Sequence, residues 1–235
     1  MVNFKDYYCV CDQKLTFTNE QGSRFAKKVA GDFNPIHDKD SRYFRVPGDL
    51  LFAFVVSQYG LATNTVVSFE KPVTANVALC IPNEINGYYS FNDADERQYI
   101  IVDLEGDQLK RSCARDLALQ FIQFSGEKLL WVLVNLMKRE NAMINTRRPL
   151  VVYKSICLNL EHDHFEDPHL EYHGATMKIE GKKGEVRLDF VVRAGEIEVG
   201  RGSKSLQLRG LRAFDQTVMD KFVDDYTDPV ERAGK

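Results

Sequence analysis

Between Leu50 and Val56 the chain has no polar break: Leu50, Leu51, Phe52, Ala53, Phe54, Val55 and Val56 follow one another. A segment apolar on every side, opened by Pro47-Gly48-Asp49 and running to about Ala62, predicts a helix at the middle of a core. Elsewhere the pattern is one-sided. Thr18-Asn19-Glu20-Gln21 is a capping-box pattern, and Phe25 and Val29 lie on one face of the short helix it predicts, which stops at Gly31. Residues 5–17, with Tyr7, Tyr8, Val10 and Phe17, predict a strand or extended arm. After the apolar helix come predicted strands at 66–73, 77–81, 87–91, 98–104 and 108–112, separated by turn residues such as Pro82-Asn83, Asn92-Asp93 and Glu105-Gly106-Asp107. Leu117, Phe121, Phe124, Leu129, Leu133 and Leu136 keep helical spacing over 115–141, with Gly126 able to break the run. Strands are predicted again at 150–160, 170–180, 185–193 and 196–208, with hairpin turns at 181–184 and 194–195. A last amphipathic helix over 214–226 leads to a polar tail.

Helix-then-strands therefore occurs twice, which predicts an α+β chain of two units, residues 1–112 and 113–235. No residue-by-residue repeat links the halves. At 235 residues the chain is long enough to bury a full core. Charged residues make up 28% with a net charge of −3, so nucleic acid and membrane surfaces are not expected partners. No run of about twenty apolar residues is present, so no transmembrane helix is expected. Met1-Val2-Asn3-Phe4-Lys5-Asp6 lacks the plan of a signal peptide. Cys9, Cys11, Cys80, Cys113 and Cys157 are odd in number and lack zinc-site spacing, which fits free thiols in a reducing cytoplasm.

The chemistry concentrates in Ala30-Gly31-Asp32-Phe33-Asn34-Pro35-Ile36-His37. Pro35 has no N–H and pushes Asn34 out of helical space, so the segment is a turn. A carboxylate and an imidazole facing each other across it can hold a water and move protons both ways. The plainer reading is a turn in which Asp32 accepts from a backbone amide and His37 lies on the surface.

Gly-Asp-x-Asn-Pro-Ile-His resembles the signature of the MaoC-like, R-specific enoyl-CoA hydratases, which have the hotdog fold. Phe17 to Ala26 resembles that family's lead-in helix, Val46 to Phe52 the start of its central helix, and Thr65 to Val73 the following strand. The whole chain also resembles a small uncharacterised bacterial family carrying this motif. The resemblance implies a double hotdog, two sheet-wrapped helices fused in one chain. It implies an acyl-CoA or acyl-carrier-protein thioester as ligand, Asp32 and His37 as the catalytic pair, and no cofactor. Asn34 then orients the pair or the thioester, unless it only shapes the turn. Backbone N–H groups from Gly48 onward polarise the thioester carbonyl, and Gly48 lets it approach closely. Such folds often self-associate, so a homodimer is a candidate assembly.

The sequence departs from that family in three places. Lys39 stands where an acidic residue is usual, the segment 38–46 is short, and Asp49 replaces an apolar residue. Asp49 either caps the helix or adds a carboxylate beside a carbonyl that must become negative. Three functions follow: a hydratase or dehydratase using Asp32 and His37, a non-catalytic acyl-thioester sensor, or a thioesterase depending on Asp49. His162, His164, His169 and His173 lie in one acidic segment without ligand spacing, which reads as a polar loop rather than a metal site. Lys182-Lys183 and the basic residues of 201–212 read as a solvated strand face, with a phosphate contact as the alternative, and Trp131 reads as core.

Overall fold

The computed structural model describes residues 2–75, 77–83 and 86–228; the predicted polar tail lies outside them. The predicted arm at the N-terminus is a 3-10 turn, Phe4–Tyr7, followed by a short hairpin of β1 (Cys9–Cys11) and β2 (Lys14–Thr16). Helix α1 (Asn19–Phe25) starts on the capping box, with Thr18 and Gln21 each accepting from the other's backbone N–H. It widens into a π-helical turn, Ala26–Ala30, and stops where Gly31 takes φ 66°. Helix α2 (Gly48–Tyr59) is buried at every position from Asp49 to Val56, as its unbroken apolar run requires.

Strands β3 (Ala62–Phe69), β4 (Leu79–Cys80), β5 (Tyr88–Asn92) and β6 (Gln98–Gln108) follow. The strand predicted at 66–73 thus begins and ends about four residues early, because the chain leaves the sheet before Pro72. The strand predicted at 108–112 does not form beyond Gln108, where β6 ends. There α3 (Arg111–Gln123) begins, because Cys113 and Ala114 continue the buried stripe of Leu117, Ala118, Phe121 and Ile122. The predicted break is real: α4 (Glu127–Arg139) starts after Gly126. A Cβ at Gly126 would lie 2.7 Å from the Gly31 carbonyl oxygen and 3.0 Å from that of Ala30, so only glycine lets the α4 start rest on that turn. Trp131 is not core; it lies on the outer side of α4 and is 47% exposed.

The second half supplies β7 (Ala142–Met143), β8 (Leu150–Leu160), β9 (Pro168–Glu180), β10 (Lys183–Ala194), β11 (Ile197–Arg209), β12 (Arg212–Ala213) and α5 (Gln216–Thr227). Among the described residues ten strands form one antiparallel sheet in the order β1-β2-β4-β5-β6-β3-β8-β11-β10-β9, while β7 pairs with β12. The seam is β3 against β8, from Asn64 opposite Asn159 to Ser68 opposite Ser155. Each half thereby covers an edge of the other within one chain. The architecture is a double hotdog, an antiparallel sheet around buried helices. Among the described residues no single helix is long and apolar enough to cross a membrane.

Tyr59, at the end of α2, is held against Tyr89 at a ring separation of 4.0 Å. Burial, then the Tyr89 hydroxyl, push its own hydroxyl up to about 12. Between pH 10 and 12 the unfolded chain gives up this proton and the folded chain keeps it, so stability is full below pH 10 and falls as pH rises. Tyr59→Phe is expected to flatten that fall. Urea midpoints at pH 9 and 11 check it; an unchanged slope rejects the assignment.

Candidate active site

Asp32 and His37 are fixed by the turn that Pro35 enforces. A 3-10 turn spans Pro35–His37, and the Asn34 side-chain oxygen accepts from the Ile36 N–H at 3.1 Å. Asp32 Oδ1 accepts from the Asn34 N–H at 2.9 Å and from the Tyr226 hydroxyl at 3.0 Å. That leaves Oδ2 facing His37 Nε2 at 3.5 Å. Oδ1 thus makes the turn contact, while Oδ2 is turned toward the imidazole. His37 is buried rather than superficial. Its Nδ1 lies 2.8 Å from the Arg45 carbonyl oxygen, which only accepts, so Nδ1 carries the proton and Nε2 is left to exchange one. The short loop serves this: Arg45 N–H bonds back to the Ile36 carbonyl at 3.1 Å. Asn34 Nδ2 reaches the Pro149 carbonyl at 3.4 Å, tying the turn to the start of β8.

Asp32, Asn34, His37, Gly48 and Asp49 all line one cavity, which is open to solvent on one side. Lys39 does not line it. Its side chain is exposed, while its carbonyl accepts from Asn19 at 2.8 Å. The neighbouring Asp38 meets Lys27 at 2.7 Å, without hydrogen-bond alignment.

Asp49 does not cap α2, and it is not a free carboxylate. Lys204 Nζ, fully buried, donates to Asp49 Oδ1 at 3.0 Å, to the Phe121 carbonyl at 2.8 Å and to Ser125 Oγ at 2.7 Å. The Tyr153 hydroxyl lies 2.7 Å from Asp49 Oδ2 and 2.6 Å from Ser125 Oγ. A carboxylate only accepts, so the single phenol proton goes to Asp49 and Ser125 donates into the phenol oxygen. The four side chains form a closed, satisfied circuit. Burial pulls the Lys204 ammonium below the usual lysine value against the opposing pull of Asp49. Burial first, and the Asp49 charge second, push the Tyr153 hydroxyl well above the usual tyrosine range.

Gly48 has no room for a side chain. A Cβ there would fall 2.4 Å from Tyr153 Cδ2, so the ring of Tyr153 occupies that side of the helix start. Lys204 corrects the reading of 201–212 as a solvated face, since it points inward from β11. The one sequence signal for it is the alternation: positions 200, 202, 204, 206 and 208 are all buried, and a lysine stands in the middle of that row. Tyr226, Tyr153 and Ser125 carry no local signal. Among the described residues no group of three or more His, Cys, Asp or Glu is placed to hold a metal ion.

The chain is similar in structure to a MaoC-like dehydratase, 11% identical, over 87% of this chain and 98% of that one, with a TM-score of 0.43. It is similar to an acyl-CoA thioesterase II from Mycobacterium marinum, 7% identical, over 72% and 90% of the two chains, with a TM-score of 0.43. It is also similar to a conserved protein of unknown function with a hot dog fold from Alicyclobacillus acidocaldarius, 5% identical, over 92% and 100%, with a TM-score of 0.40. No curated protein matches it in sequence. The model of a family described as a protein of unknown function, DUF3581, matches residues 2–217, and the chain belongs to that family.

Proposed function

We propose that this protein binds acyl thioesters and adds water reversibly across a trans-2-enoyl thioester. One observation carries the reading: Asp32 and His37 are fixed face to face at 3.5 Å on the wall of a cavity that also reaches the start of α2. With Nδ1 protonated, neutral His37 turns a lone pair toward a carboxylate, and a water that donates to both resolves the conflict. The pair takes one proton from the water as its oxygen attacks C3 and returns that proton to C2. The thioester carbonyl, polarised by the first N–H groups of α2, takes the negative charge of the enolate. Asp49 beside it would oppose that charge, and Lys204 offsets it.

On this reading residues 1–112 supply the motif and the helix start, and residues 113–235 supply the charge pair's lysine and much of the cavity wall. Thioester hydrolysis by Asp49 is disfavoured, because both of its oxygens already accept from Lys204 and Tyr153. A binding-only sensor is the second reading, favoured by the Tyr153 ring over Gly48. The ultraviolet absorbance of crotonyl- and octenoyl-CoA, followed together with free thiol, separates the three. Loss of enoyl absorbance without thiol release is the expected result. Thiol release indicates hydrolysis, and neither signal with measurable binding indicates a sensor.

A further inference from the structure

The cavity has a second part that proton transfer does not use. The start of α4 rests on Gly31, next to Asp32. From there Leu129, Leu130, Leu133 and Met137 face the cavity, one helical turn after another. On α5, Tyr226 holds Asp32, and Phe222, one turn back from it, lines the same space. Met137 and Ile144 are both buried, and the Ile144 N–H points at Met137 Sδ at 3.4 Å, which closes the far end. An apolar arm therefore leads away from the Asp32–His37 pair along α4.

We propose that this arm measures the acyl chain and that the preferred ligands carry about twelve carbons. The inference rests on the acyl-thioester reading and names its substrate class. From Leu129 to Met137 the α-helix advances about 12 Å. A staggered carbon chain, with bonds near 1.5 Å, advances roughly 1.25 Å per carbon, so about nine or ten carbons span that length, beyond the thioester and reacting carbons at the pair. The α4 side chains along this path are all apolar, so the occupant is an aliphatic chain, not a polar or charged one. Met137 at the end gives the stop some adaptability.

The test is calorimetric titration with saturated butyryl-, hexanoyl-, octanoyl-, decanoyl- and myristoyl-CoA, which need no turnover. Affinity is expected to rise by up to about fourfold per added carbon, the value of one buried methylene, and to stop rising at about twelve, between decanoyl and myristoyl. Leu133→Trp stands midway along the arm and is expected to collapse the ratio of decanoyl to butyryl affinity. Met137→Ala opens the far end and moves the break to longer chains, which keeps the test decisive if the tryptophan variant does not fold. A flat dependence on length, a rise that continues through myristoyl, or a break that neither variant moves overturns the arm. Length-dependent binding without hydration supports the arm and sinks only the hydratase reading. No binding of any thioester sinks both.

Discussion

Asp32→Asn is expected to slow hydration of an enoyl thioester by a factor of about 100 to 10,000 while leaving the fold intact. Asparagine keeps an oxygen to accept from the Asn34 N–H and the Tyr226 hydroxyl, the two contacts that fix this side chain. What it loses is the second oxygen, the one that faces His37 at 3.5 Å. An amide nitrogen there cannot take a proton. His37→Ala is expected to cost a similar factor, and the double variant little more than either, because the two groups act on one water. Tyr226→Phe removes one of the two donors to Asp32 Oδ1 and is expected to cost about tenfold, the value of one hydrogen bond. Initial rates with octenoyl-CoA, beside urea midpoints for each variant, check the series. Equal rates for wild type and folded Asp32→Asn would remove Asp32 from the chemistry.

The parts of the fold that were legible in the sequence are those set by neighbours along the chain. The capping box at Thr18 and Gln21, the apolar run of α2 and the break at Gly126 are local signals, and each element starts where its residues place it, although α2 ends at Tyr59, short of the expected Ala62. Asp32, Pro35 and His37 were legible for the same reason, since a turn brings its own ends together. Element boundaries were less so. The start of α3 lay hidden because Lys110 and Arg111 are neutral between strand and helix, and only the burial of Cys113 and Ala114 decides. The rest of the site is long-range. Lys204 meets Asp49 across 155 positions and Tyr226 meets Asp32 across 194. Those contacts come from a sheet that joins its halves at β3 and β8, and no periodicity in one strand reports what faces it from another. The departure at Asp49 therefore looked like an obstacle to catalysis until its partner was placed.

Lys204→Met is expected to destabilise the protein by about 3–5 kcal/mol, because it strands a buried carboxylate. In the native protein Asp49 is 2% exposed and Lys204 fully buried, so neither charge has water to turn to. Methionine fills the space of the lysine stem but offers Asp49, Ser125 and the Phe121 carbonyl no donor. Adding Asp49→Leu to Lys204→Met is expected to restore most of the loss, since a buried pair replaced by apolar residues is often neutral or stabilising. The coupling from the double-mutant cycle, read as urea unfolding free energies, should be comparable to the single loss. Additive losses would show that the two charges do not depend on each other. The same cycle bears on catalysis. With Lys204 gone, the Asp49 charge stands uncompensated beside the carbonyl that turns negative, so hydration slows beyond what the loss of folded protein explains. In Lys204→Met with Asp49→Leu that charge is gone as well, so the rate per folded molecule recovers part of the way. A rate that follows only the folded fraction in all three variants would make the pair purely structural.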